Sequence, residues 1–154
     1  MRKVAVAIAA ALVACSPNVA PAEAVAGQAQ TGLRQVPLTI TSASGAHRFT
    51  VDIAATPDEQ ERGLMFVKHL AGDRGMIFPY DPPQNVAFWM KNTLIPLDII
   101  FIRADGTIAR ITNAKALDET PLPSGEPIAS VLEIVGGRAS ELGIAPGDKV
   151  EWAR

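Results

Sequence analysis

Seven side chains in this sequence have the types and the settings to do chemistry. Asp98 interrupts the apolar run "LIPLDIIFI", and Glu133 interrupts "SVLEIV". A carboxylate inside a buried strand is costly unless it is paired or hydrogen-bonded. Arg62, closing an amphipathic stretch, has a planar fork suited to bridging one of them. The text "FWMKNTLIP" then sets Trp89 and Lys91 beside Asn92 and Thr93. An aromatic platform next to ammonium, amide and hydroxyl donors is the composition of a ligand-binding rim. Arg62, Trp89, Lys91, Asn92, Thr93, Asp98 and Glu133 are therefore the candidate ligand-binding set. Structure accounts for Asn92, Thr93 and Pro96 as a stiff turn, and for the carboxylates as an ion pair or strand-end groups. It accounts less well for an exposed indole.

Two further chemistries have partial support. Met65, Met76 and Met90 are soft thioethers in separate motifs, with Trp89 and His69 nearby, as a Cu(I) carrier would use. Methionines also fill irregular gaps in cores, His47 and His69 lack ligand spacing, and no metal site is assigned. If Asp98 and Glu133 lay close together, one could serve as a general acid in a hydrolase. No GxSxG, HExxH or Ser-His-Asp pattern accompanies them, so no catalytic residue is assigned and the balance is against an enzyme. No sequence feature calls for a cofactor.

The N-terminus carries a different message. "MRKVAVAIAAALVAC" has a basic start at Arg2 and Lys3, a short apolar run and a small-residue exit at Cys15, the single cysteine. That is the form of an export signal, shorter than the roughly 20 residues of a spanning helix. "LVAC" resembles the lipobox of bacterial lipoproteins, which implies cleavage before Cys15 and lipidation of its thiol. The expected division is a signal peptide at 1–14, a lipidated cysteine and tether at 15–35, and a domain at 36–154. The expected location is periplasm-facing and lipid-anchored, leaning to the outer membrane because Ser16 rather than Asp follows the cysteine.

The tether "SPNVAPAEAVAGQAQTGLR" is rich in Ala, Pro, Gly and Gln, a linker composition. The chain holds 14 Lys and Arg against 16 Asp and Glu, a net charge of −2. Such a balance provides no basic face for nucleic acid, so the expected partners are a membrane, through the anchor, and a small molecule or envelope component.

The elements that must position these residues are short. "VPLTITS" and "HRFTVDIA" read as a hairpin turning at Ser44-Gly45. "TPDEQER" reads as a helix, with Thr56 as N-cap, Pro57 at N1 and Glu59 completing a capping box, and with Gly63 at its stop. "GMIFPY", "VAFWM", "LDIIFI", "TIARITNA", "IASVLEIVGG" and "DKVEW" read as strands, and "RASELG" as a second short helix. The sum is a mainly β (α+β) protein: a small, partly closed β-barrel of about eight short strands with two short helices.

Over residues 47–152 the text resembles the DUF192 family. The stretches that carry this are "ATPDEQERGLMF", "DRGMIFPY", "FWMKNTLIPLDIIFI" and "GGRASELGIAPGDKVEW", in the family's order. The resemblance implies a compact β-rich fold, often exported or lipid-anchored, and no reaction. Relatives commonly carry a basic residue where this chain has Val67. The tail also resembles a PDZ segment, but the carboxylate-binding loop of PDZ domains is missing.

Overall fold

The computed structural model describes residues 32–153. The expected signal peptide, Cys15 and most of the tether lie outside the described residues. The chain runs β1 (Gln35–Ser42), β2 (Gly45–Ile53), α1 (Pro57–Arg62), β3 (Arg74–Gln84), β4 (Ala87–Phe88), β5 (Leu97–Ile102), β6 (Ile108–Ala114), β7 (Leu122–Pro123), β8 (Ile128–Val135), α2 (Arg138–Glu141) and β9 (Lys149–Trp152).

Seven strands form one sheet in the order β6-β5-β8-β3-β2-β1-β9, and β4 pairs with β7 in a second, two-stranded sheet. The large sheet curls until its two edges touch. The Ile108 amide donates to the Asp148 carbonyl at 2.9 Å, and the Val150 amide to the Gly106 carbonyl at 2.8 Å. Closure is confined to that end; the second half of β6 stands away from Ile144 and Pro146, leaving an opening of about 410 Å³. The fold is thus mostly β, a partly closed barrel with two short helices.

Local chemistry explains the elements. The Thr56 side chain accepts from the Glu59 amide, and the Glu59 carboxylate accepts from the Ala55 and Thr56 amides at 2.8 Å each. These bonds satisfy amides that a helix start leaves orphaned, and hold the Glu59 carboxyl below its usual range. Gly63 ends α1 with φ 45° and ψ −133°, and donates back to the Glu59 carbonyl. Three details differ from the sequence reading. The hairpin pairs Ser42 with Gly45, so Ala43 and Ser44 make the turn. "VAFWM" forms only the two-residue β4, because Met90 bonds to Asp118 rather than to a strand. The parallel pairing of β2 with β3 had no local signal.

Two cores flank the sheet. The barrel interior holds Leu38, Ile40, Val51, Ile77, Ile100, Leu132 and Ile134, among others. The outer face of β3, β8 and β5 carries Met76, Phe78, Leu97, Ile99, Phe101 and Val131, roofed by Leu64, Val67, Leu70 and Met90. With both faces covered, all six residues of β5 are buried. Phe88 stands edge-on to Phe78, with centroids 5.1 Å apart, and to Phe101 at 6.3 Å. That geometry contributes about 0.5–1.5 kcal/mol per pair beyond area burial, and it pins the segment running into Trp89.

Where β3 crosses β8, a Cβ on Gly75 would lie 2.5 Å from the Glu133 carbonyl oxygen. Gly75→Ala is therefore expected to lower stability by at least about 2 kcal/mol, because backbone must move to admit the methyl. Chemical denaturation of the two proteins checks it.

Candidate functional site

The register of the large sheet decides where the candidate carboxylates go. Asp98 is paired with Asn113 on β6 and Ile134 on β8, so its side chain shares the barrel interior with Ile100 and Ile102. Glu133 is paired with Met76 on β3 and Ile99 on β5, and shares the outer face. Successive strand residues point to opposite faces, so the two carboxylates lie on opposite sides of one sheet. The close approach of Asp98 to Glu133 on which an acid–base pair is conditional does not occur.

Asp98 is fully engaged. Its Oδ1 accepts from Asn113 Nδ2 at 2.7 Å and from the Gly137 amide at 3.0 Å, and its Oδ2 from the Ala139 amide at 2.8 Å. Those are the amides at the start of α2, so the carboxylate fixes that turn to the end of the barrel. Glu133 has the opposite setting. It is 5% exposed, its carboxyl makes no hydrogen bond among the described residues, and desolvation pushes its pKa up to about 8. Tyr80 on the same face is pushed up to about 12, by burial and then by the Glu133 charge. The third buried acid, Asp52, has Arg74 at 3.4 Å.

Arg62 meets neither carboxylate. With Trp89, Lys91 and Asn92 it lines an open cleft of about 300 Å³ between the C-terminal end of α1 and the 89–92 turn. Asp58, Glu61 and Met65 complete the wall. Sequence reasoning placed the first two on a helix and the third among the methionines without seeing that they join this site. The Lys91 ammonium lies over the Trp89 ring, 4.9 Å from its centroid, an arrangement of exposed cation and aromatic face. Trp89 is 46% exposed, whereas Met90 beside it is wholly buried. Asp58, Glu61, Arg62 and Lys91 form no ion pair among the described residues. The cleft thus presents two acids and two bases whose partners are not one another.

Thr93 is not part of the wall. It is buried, donates its hydroxyl to the Lys91 carbonyl at 3.3 Å, and shapes the turn. Met76 and Met90 are fully buried in the outer core, while Met65 faces the cleft, its sulfur 3.8 Å from Asn92 Nδ2. His47 bonds Ser42 and Ser44 beside the hairpin turn, and His69 is exposed. No group of three His, Cys, Asp or Glu side chains among the described residues could hold a metal ion.

The turn is a node of backbone strain. Phe66, Asn92 and Leu117 have φ of 64°, 55° and 62°, the only positive values for non-glycine residues in the described chain. They are joined: the Phe66 amide donates to the Asn92 carbonyl at 2.8 Å, and the Leu117 amide to the Thr93 carbonyl at 3.0 Å. Asn tolerates this conformation; Phe and Leu do so at a cost of about 1–2 kcal/mol each. Yet both side chains are exposed, so core packing does not require them.

The profile of the DUF192 family, described as Uncharacterized ACR, matches residues 38–152. A protein of unknown function from Novosphingobium aromaticivorans has a similar crystal structure, with 52% identity and a TM-score of 0.78, covering 82% of this chain and 91% of its own. A protein from Sinorhizobium meliloti, provisionally described as a transcription regulator, is 40% identical with a TM-score of 0.77, covering 80% of this chain and 98% of its own. No curated protein matches.

Two measurements follow from this geometry. Because the folded chain holds the Glu133 proton more tightly than the unfolded chain, stability should fall as pH rises from about 4.5 to about 8 and level off above it. Glu133→Gln is expected to remove that decline and to be the more stable protein at pH 9 by a few kcal/mol, since each tenfold change in proton affinity is worth roughly 1.4 kcal/mol. Urea unfolding at pH 5, 7 and 9 reads both. Leu117→Asn should leave stability unchanged or raise it by up to about 1 kcal/mol, since Asn suits the left-handed conformation. A loss larger than that would assign the Leu117 side chain a packing role.

Proposed function

The chain belongs to the DUF192 family, and we propose that it is a binding module of the cell envelope, whose cleft between α1 and the 89–92 turn takes a small ligand carrying both charges. The observation that carries this is the pairing of an exposed Trp89 face with four charged side chains that leave one another unpaired. Sites for small ligands combine an apolar wall with a few convergent polar groups. Here Trp89 and Met65 supply the wall, Arg62, Lys91 and the Asn92 amide receive an anionic group, and Asp58 and Glu61 receive a cationic one. Thr93, Asp98 and Glu133 act behind the site, on the turn, on α2 and beneath the roof.

The envelope assignment rests on the basic start, the short apolar run and the lipobox-like "LVAC" ending at Cys15. An anchor there places the domain on the periplasmic side, attached through two or more acyl chains. The regulator description of the Sinorhizobium protein is not carried over, because a net charge of −2 offers no counterpart to a phosphate backbone. Hydrolysis by an Asp98 and Glu133 pair lacks the proximity that such chemistry needs. A three-methionine copper site would require Met76 and Met90 to leave the outer core.

Thermal shift and Trp emission against a panel of amino acids, amino sugars and glycerophosphoethanolamine test the reading. A panel member at about 100 times its Kd should add roughly 2.7 kcal/mol to the parent's stability. Trp89→Ala should abolish the gain while keeping the ligand-free melting temperature within a few degrees, since the ring is nearly half exposed. A Trp89→Ala protein that retains every shift removes the cleft from function.

A further inference from the structure

Among the described residues, four large apolar side chains stand exposed: Phe66 at 57%, Trp89 at 46%, Leu94 at 41% and Leu117 at 58%. All four attach to one turn. Trp89 lines the cleft, Leu94 follows Thr93, and the amides of Phe66 and Leu117 are bonded to the carbonyls of Asn92 and Thr93. The exposed large apolar side chains of the described domain therefore all sit on segments joined to the turn that walls its charged cleft. Two of the four occupy that surface in a left-handed backbone that disfavours them. Exposed apolar patches of this kind mark contact surfaces, and strained residues cluster where a contact is made.

The charge around the patch selects the partner. Asp58 and Glu61 cancel Arg62 and Lys91 within the cleft. Further out, exposed Lys68 and Lys115 are matched by exposed Asp118 and Glu119. An anionic membrane or an acidic peptide would meet the carboxylates unfavourably, and a basic peptide would meet Arg62 and Lys91. A dense surface of zwitterions bordered by hydrocarbon satisfies both signs and the apolar rim. The sequence supplies the proximity: only 16 residues lie between Cys15 and the first described residue.

Resting on the binding reading above, we infer that the cleft and its apolar rim form one surface that docks on zwitterionic phospholipid. The ammonium of a phosphoethanolamine headgroup sits by Asp58 and Glu61. Its phosphodiester faces Arg62, Lys91 and the Asn92 amide. Phe66, Trp89, Leu94 and Leu117 enter the interfacial layer beside it, where amphipathic and apolar side chains are stable. In this arrangement the lipid anchor delivers the domain to the bilayer and the turn decides which end of the barrel lies against it.

The test uses residues 32–154, which lack Cys15 but contain both cores whole and match the extent seen in the crystallised relatives. Vesicles of phosphatidylcholine with phosphatidylethanolamine are compared with vesicles rich in phosphatidylglycerol by co-sedimentation, and brominated lipid reports the depth of Trp89 in a Trp152→Phe background. The expected result is partition onto the zwitterionic vesicles with quenching of Trp89. The double variant Phe66→Asn, Leu117→Asn keeps residues suited to the turn and should partition at least about tenfold more weakly. Asp58→Ala with Glu61→Ala should shift preference toward phosphatidylglycerol. Folding of each variant is read by its unfolding transition. No partition onto either vesicle, partition onto phosphatidylglycerol alone, or a double asparagine variant that partitions like the parent overturns the inference. If glycerophosphoethanolamine or another soluble zwitterion binds at Trp89 while vesicles do not, the lipid inference falls and the cleft reading stands. If vesicles bind and Arg62→Ala with Trp89→Ala binds equally, the headgroup assignment falls along with the cleft.

Discussion

Strands β5 and β8 are covered on both faces, and that double burial fixes the position of every polar group they carry. In a sheet with one wet face, a carboxylate can turn outward and stay hydrated. Here Asp98 and Glu133 must each point into a core, and the alternation of the pleat sends them to different ones. Asp98 ends in the barrel beside a short helix start, where three donors offset its desolvation. Glu133 ends under the roof formed by residues 54–70 with no such donors, and burial favours its neutral form. The same strand pairing therefore gives one acid a fixed structural bond set and leaves the other as a proton-dependent load.

The roof itself is held by a small number of contacts. The two-stranded β4–β7 sheet sets Phe88 between Phe78 and Phe101, and that wedge carries the chain into Trp89 and the 91–93 turn. From the turn, carbonyls reach in two directions, to Phe66 after α1 and to Leu117 before β7. Three segments distant in sequence are thereby fastened through backbone bonds rather than through a shared apolar plug. Their large side chains consequently remain outside, which is why the cleft has both a rigid floor and an uncovered rim.

What the sequence made legible was local. The capping box at Thr56 and Glu59, the stop at Gly63 and the buried "LDIIFI" strand depend on residues within a few positions of one another, and all are present. The partly closed barrel followed from strand count and spacing. The cleft was legible in part: Arg62, Trp89, Lys91 and Asn92 converge, and the alternation that turns Phe88 and Met90 inward and Trp89 and Lys91 outward could be read from the text. The two faces for Asp98 and Glu133 could not be read, because they depend on how β5 and β8 register with strands up to 60 residues away. Asp58, Glu61 and Met65 were missed for a similar reason. A helix read from its caps shows which residues are helical, not which edge of the fold its exposed side will meet. The left-handed Phe66 and Leu117 carry no sequence mark at all, since both are poor residues for that conformation.

These departures from local consistency are distributed unevenly. Inside the barrel, propensity and patterning agree and the one charged residue is satisfied, while the buried Ser130 hydroxyl is left without a partner among the described residues. On the other side of the sheet lie the carboxyl without a donor, the three left-handed residues and the four exposed apolar side chains. A sequence drifting under selection for folding alone would relieve such conflicts with ordinary substitutions, Gln at 133 or Asn at 117, because each lowers the stability available to a small domain. The left-handed residues and the exposed apolar side chains, all on segments joined to the 91–93 turn, point to a requirement located at that cleft. The barrel is then the rigid support, and the roof with its turn is the part shaped by what it touches.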